Sequence, residues 1–212
     1  MIDDHDALRA LVYHDRQTEK ECQPFLRSIA YLLCAETPSE VIACDREERS
    51  SMGASDFSVS ARFTISADVQ IARAYVWEVK APQTYLFEFD DNPSRLRPTK
   101  ELIKAETQLV HYVPELGTSR AFRDKYGLDA SSEVLPAGII MGRNDRLVRP
   151  GKYRLDADQI RKVFRTSYYV RDAYLYRRAG IRLLTWDWVL EKLRREELEM
   201  ERINRLAVHR DT

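Results

Sequence analysis

Two strand-like runs lie almost back to back in this chain, and they limit its possible folds more than any other feature. Asp56-Phe57-Ser58-Val59-Ser60-Ala61-Arg62-Phe63-Thr64-Ile65 mostly alternates polar and apolar residues. Ile71 to Val79 follows, rich in Tyr75, Val76, Trp77 and Val79, and Pro82 ends it. Alternation of period two marks a pleated strand with one buried face. The second run closes on Trp77-Glu78-Val79-Lys80. On a strand, alternate side chains share a face, so Glu78 and Lys80 point together while Trp77 and Val79 pack behind them.

The remaining periodicities supply helices and further strands. Residues 18–34 read as a helix from Phe25, Ile29, Leu32 and Leu33, begun near Gln23 or kinked at Pro24. Val41-Ile42-Ala43-Cys44 is a short strand, and the polar run Asp45 to Ser55 a loop. Residues 98–113 form a helix on Ala105, Leu109 and Tyr112, stopped by Pro114. Leu135 to Met141 is a buried strand. Residues 156–179 form a helix ended by Gly180, Ile181 to Leu184 a last strand, and residues 186–206 a charged amphipathic helix. The order α-β-β-β-α-β-α-β-α predicts an α/β fold with a mixed central sheet flanked by helices.

A length of 212 residues suits one compact domain, with residues 1–17 as an N-terminal extension and 191–212 as a charged C-terminal helix and tail. No stretch approaches the roughly 18 apolar residues of a membrane helix. The start, Met1-Ile2-Asp3-Asp4-His5-Asp6, lacks the apolar segment of a signal peptide, which predicts a cytoplasmic chain. Cys22, Cys34 and Cys44 are odd in number and form no C-x-x-C, so they read as free thiols in a reducing compartment. His5, His14, His111 and His209 show no zinc-ligand spacing. The net charge is zero, yet residues 143–182 carry 12 Lys/Arg against 4 Asp/Glu, which can make one face positive.

Asp56 opens the first of the two strands. If they form a hairpin, Asp56 approaches Glu78, and two neighbouring carboxylates repel unless a divalent cation lies between them. Lys80 then orients or activates water and offsets developing phosphate charge. The bland reading, a solvated E-x-K pair on a strand edge, leaves Asp56 unexplained. Arg143, after Gly142 at a strand end, is either a bidentate phosphate donor or a surface partner of Asp145. The helix bearing Arg161, Arg165 and Arg171 interleaves arginines with tyrosines; it either binds phosphates and bases or packs its tyrosines on the sheet and solvates its arginines. The charge run from Glu191 to Arg205 reads as a solvated face, with self-association through the last helix as the alternative.

Asp56 followed by Glu78-Val79-Lys80 resembles the PD-(D/E)xK nuclease signature, with Ser55-Asp56 in place of Pro-Asp. Gln108-Leu109-Val110-His111-Tyr112, on the next helix, resembles the Q-x-x-x-Y motif of its RecB-like branch. Glu21-Cys22-Gln23-Pro24-Phe25-Leu26, Glu78-Val79-Lys80-Ala81-Pro82, Ala137-Gly138-Ile139-Ile140-Met141-Gly142-Arg143 and Leu184-Thr185-Trp186-Asp187-Trp188-Val189-Leu190 resemble segments of the Shedu anti-phage nuclease domain. Together they cover roughly residues 18–190. The resemblance implies a restriction-endonuclease-like fold that hydrolyses DNA with Mg²⁺ or Mn²⁺ in prokaryotic defence. It implies Asp56 and Glu78 as metal ligands with Glu21 from the first helix, Lys80 and Gln108 as catalytic, and Tyr112 lining the site. Asp68 is the rival to Asp56, and Glu19 to Glu21. The alternatives are an inactive nucleic-acid-binding module with the same fold, and an assembly subunit that self-associates through its last helix.

Overall fold

A computed structural model describes residues 4–50 and 53–208. The N-terminal tripeptide, the tip of the polar run at 51–52 and the tail at 209–212 lie outside the described residues. The elements are α1 (Asp4–Val12), α2 (Glu19–Cys22, running into a 3-10 helix at Gln23–Leu33), β1 (Glu40–Ser50), β2 (Gly53–Ser66), β3 (Val69–Val79), β4 (Phe87–Phe89), β5 (Leu96–Pro98), α3 (Lys100–Thr118), α4 (Arg120–Lys125), β6 (Glu133–Ile140), α5 (Ala157–Arg171, then a π turn at Asp172–Tyr176), α6 (Arg177–Ala179), β7 (Arg182–Leu184) and α7 (Trp186–Val208).

A five-stranded sheet, ordered β1-β2-β3-β6-β7, divides the molecule. The pairs β1–β2 and β2–β3 are antiparallel; β3–β6 and β6–β7 are parallel. This is the expected mixed α/β architecture. Alternation along β2 and β3 sends Phe57, Val59, Phe63, Tyr75, Trp77 and Val79 to one face, where they meet Leu26 and Leu33 of the 3-10 helix and Val189 and Leu193 of α7. Ala74 and Val76 look the other way, onto Leu102, Ala105 and Leu109 of α3 and Tyr176 of the π turn. Each fully buried large apolar side chain contributes about 2 kcal/mol, so both helical layers are pinned to the sheet by their apolar stripes. The segment expected as an extension contributes to the first of these cores, because Leu8 and Val12 of α1 are fully buried in it.

Several boundaries depart from the sequence reading. The polar run from Asp45 is not a loop: β1 continues to Ser50, with Glu48 opposite Ser55 and Ser50 opposite Gly53. Ladder pairing is a main-chain property, and a polar edge strand satisfies it as well as an apolar one. Pro114 does not stop α3, which runs on to Thr118 with Leu116 buried in the last turn. The helix at 18–34 is α-helical for only four residues and then 3-10, with non-helical φ −119° at Ile29; Pro24 removes an N–H at the changeover. The end of the helix at Gly180 is as expected, since that residue adopts φ +68°. The three cysteines are free thiols. Among the described residues no helix is long and apolar enough to cross a membrane.

Candidate active site

The β2–β3 register places Phe57 opposite Trp77, and therefore Asp56 across from Glu78 at the end of the ladder. Asp56 Oδ2 accepts the Val79 N–H at 2.9 Å and the Lys80 ammonium at 3.3 Å. Lys80 Nζ also donates to Glu78 Oε1. The Lys80 backbone is fixed on both sides: its N–H donates to Ile140 O at 2.8 Å, and its carbonyl accepts Trp186 Nε1 at 2.8 Å. An acid, an acid and a lysine thus converge from two adjacent strands at the sheet's end.

Burial differs sharply within the cluster. Glu78 is 1 % exposed, while the side chains of Asp56 and Lys80 are each 18 % exposed. Glu78 Oε2 is buried with no hydrogen-bond partner among the described residues. Burial, and then the charge of Asp56, push the Glu78 carboxyl up to about 8, against the pull of Lys80. Burial pulls the Lys80 ammonium down, but the charges of Glu78, Asp56 and Glu19 outweigh it and the net shift is upward.

The rival residues differ in position. Asp68 lies in the exposed turn between β2 and β3, at the far end of the hairpin from Asp56; twelve strand residues span about 40 Å. No excursion interrupts that hairpin beyond an irregularity between Thr64 and Ser66. Glu21 is exposed and pairs with Arg16 at 3.7 Å. Glu19, at the first position of α2, is the acid that meets the cluster. Burial raises its carboxyl, and the charges of Lys80 and Asp56 act on it.

The other candidates are placed elsewhere. Gln108 Nε2 donates to Tyr112 Oη at 2.8 Å, and Gln108 Oε1 is buried without a partner among the described residues. The motif pair is therefore joined internally on α3, with no hydrogen bond to Lys80 among the described residues. Tyr112 is 3 % exposed, so its ring is core rather than a lining surface. Arg143 is buried: Nη1 donates to Val12 O at 2.9 Å, Nε to Asp145 at 2.6 Å, and its guanidinium lies 5.1 Å from the Tyr13 ring centroid. It clamps the end of α1 rather than awaiting a phosphate. Arg171 forks onto Glu106, with Nε at 2.8 Å from Oε1, and also meets Tyr176. It ties α5 to α3. Arg161 is exposed and paired with Asp158 at 2.8 Å, and Arg165 is exposed.

Among the described residues no three His, Cys, Asp or Glu side chains cluster as a metal site. Two carboxylates are nonetheless the usual protein share of a Mg²⁺ site, with water and phosphate completing it. The orphaned Glu78 Oε2 beside Asp56 fits that donor set. No protein-family model and no curated protein matches this chain.

Proposed function

We propose that this chain is a restriction-endonuclease-like, metal-dependent nuclease that hydrolyses DNA phosphodiester bonds, with Asp56, Glu78 and Lys80 as its catalytic residues. The buried, partnerless Glu78 oxygen next to Asp56 is the observation that carries the reading. A carboxylate buried this deeply is costly unless a cation completes it.

Asp56 and Glu78 would hold Mg²⁺ or Mn²⁺, with Glu19 replacing Glu21 as the nearby third acid. The bound ion supplies Lewis-acid polarisation of a phosphate oxygen and a water of lowered pKa. Lys80 keeps its proton at Nζ, because the surrounding carboxylates raise its pKa, and offers a positive charge to the attacked phosphate. Trp186 and Ile140 hold its backbone so that this charge stays aimed. Gln108 supports the site through α3 rather than by touching Lys80. An anti-phage role is what the Shedu resemblance implies, and the exposed Leu198, Met200 and Ile203 of α7 support self-association.

One observation favours a second reading, an inactive nucleic-acid-binding module or assembly subunit. Lys80 already bridges both carboxyl groups, which offsets one negative charge of the pair without a metal. Incubating wild type with linear and circular DNA in Mg²⁺, Mn²⁺ or EDTA separates the two. Cutting that requires the metal supports the nuclease; metal-independent binding without cutting supports the module.

A further inference from the structure

The chain after Lys80 stays bound to the loop after β6. Ala81 O accepts Gly142 N–H at 3.3 Å, Leu86 N–H donates to Arg146 O at 3.3 Å, and Phe87 N–H to Leu147 O at 3.0 Å. Gly142 permits this approach: it has φ +64°, and a Cβ there would meet Leu86 Cδ1 at 2.3 Å and Thr84 O at 2.6 Å. The two segments hold Tyr85 between two guanidinium groups. Arg146 lies 4.8 Å and Arg149 5.9 Å from the ring centroid, and Arg146 Nη1 donates to the Tyr85 hydroxyl at 2.5 Å.

The cations of this loop differ in what neutralises them. Arg143 is committed to Val12 O and Asp145. Arg149 pairs with Glu88 at 3.1 Å and Glu101 at 3.5 Å. Arg146 has no carboxylate within ion-pair distance among the described residues. A half-buried guanidinium, oriented by a phenol and left without an anion, is pre-organised for a bidentate phosphate.

We propose that Arg146, oriented by Tyr85, binds a backbone phosphate of the nucleic-acid strand held beside Lys80. The assignment rests on the nuclease reading of Asp56, Glu78 and Lys80, and it moves the phosphate contact of this loop from Arg143 to Arg146.

The test is fluorescence anisotropy with fluorescein-labelled single- and double-stranded DNA in EDTA, from about 50 to 200 mM salt, alongside cleavage in Mg²⁺. Arg146→Ala is expected to weaken binding about tenfold and to lower the slope of log affinity against log salt by about one. Arg146→Lys is expected to restore the slope without the full affinity, since a point charge replaces a fork. Tyr85→Phe removes only the orienting hydroxyl and is expected to weaken binding severalfold at unchanged slope. Circular dichroism confirms that each variant folds.

Wild-type affinity and slope in Arg146→Ala overturn the proposal. If wild type cuts with metal while Arg146→Ala shows unchanged Kd and KM, the Arg146 assignment fails and the nuclease reading stands. If binding depends on Arg146 but nothing cuts, the catalytic reading fails and the assignment stands. Absence of both binding and cutting overturns both.

Discussion

Glu78 sets the pH behaviour of the site. Its carboxyl rises from an ordinary 4.5 to about 8, chiefly because burial disfavours the anion. Between those values the folded chain keeps a proton that the unfolded chain releases. Its contribution to stability is therefore full below about 4.5, falls as pH rises towards 8, and is level above it. Urea denaturation of metal-free protein at pH 5 and 8.5 should show wild type losing stability relative to Glu78→Gln, by at least about 1.4 kcal/mol, the equivalent of one unit of pKa. A divalent ion must displace the same proton, so calorimetric Mn²⁺ affinity should rise about tenfold per pH unit below 8 and then level off. Identical pH profiles in wild type and Glu78→Gln would remove Glu78 from both effects.

Residues differ in how readable they were. Asp56, Glu78 and Lys80 follow from strand alternation, a short-range rule that needs no tertiary information. The exchange of Glu21 for Glu19 was not readable, because α2 is only four residues long and four residues fix no helical phase. Arg143 pairs with Asp145, one of the two readings its sequence offered, but its second partner, Val12 O, was hidden because it is 131 positions away in sequence. The Arg171 ion pair was hidden for the same reason, its partner Glu106 being on another helix.

At the scale of elements, α3 and α5 are joined by the Arg171–Glu106–Tyr176 cluster, with the Tyr176 hydroxyl donating to Glu106 at 2.5 Å. Arg171→Ala leaves Glu106, 9 % exposed, without its cation. We expect a loss of about 2 kcal/mol in urea denaturation, less than a fully buried pair because Arg171 remains partly solvated. Weakened DNA binding at unchanged stability would instead return Arg171 to the nucleic-acid surface.

The β6–β7 junction offers a sharper contrast. A Cβ on Gly138 would meet Arg182 O at 2.2 Å and Trp77 Cζ3 at 2.6 Å, both held within the sheet. Gly180 meets nothing closer than Pro136 O at 3.9 Å, so its only demand is φ +68°. Gly180→Ala should cost about 1 kcal/mol; Gly138→Ala should cost several times more, or abolish folding. Similar melting curves for the two variants would contradict this packing.

The long helices α3, α5 and α7 and the strands of the sheet were readable because each carries its own apolar period, whereas α1 and α4 were not anticipated. The short β4 and β5 were not: Phe87-Glu88-Phe89 and Leu96-Arg97-Pro98 lie among polar residues, whereas the equally short β7 stands out as part of the apolar run Ile181 to Leu184. The extent of β1 was hidden by the polarity of its second half. The continuation of α3 past Pro114 depends on the burial of Leu116, which only the assembled core reveals.

For the whole molecule, a zero net charge conceals an uneven one. The 143–182 segment carries the basic excess, yet Arg143, Arg171 and Arg177 are bound internally, the last to Asp172 at 2.6 Å. What remains for a polyanion is smaller than the residue count suggests, and Arg146 stands in the loop tied to the turn after Lys80. The mixed sheet brings an acid from β2, and an acid and the following lysine from the end of β3, to one end of its two inner strands, with Glu19 of α2 nearby.

Cleavage of linear DNA in Mg²⁺ by wild type and by folded Lys80→Ala tests that arrangement most directly. The expected result is metal-dependent cutting by wild type, slowed about a hundredfold or more by Lys80→Ala, with circular dichroism unchanged. Equal cutting by both proteins, or none by wild type in any divalent metal, would contradict the assignment of Asp56, Glu78 and Lys80 as a nuclease site.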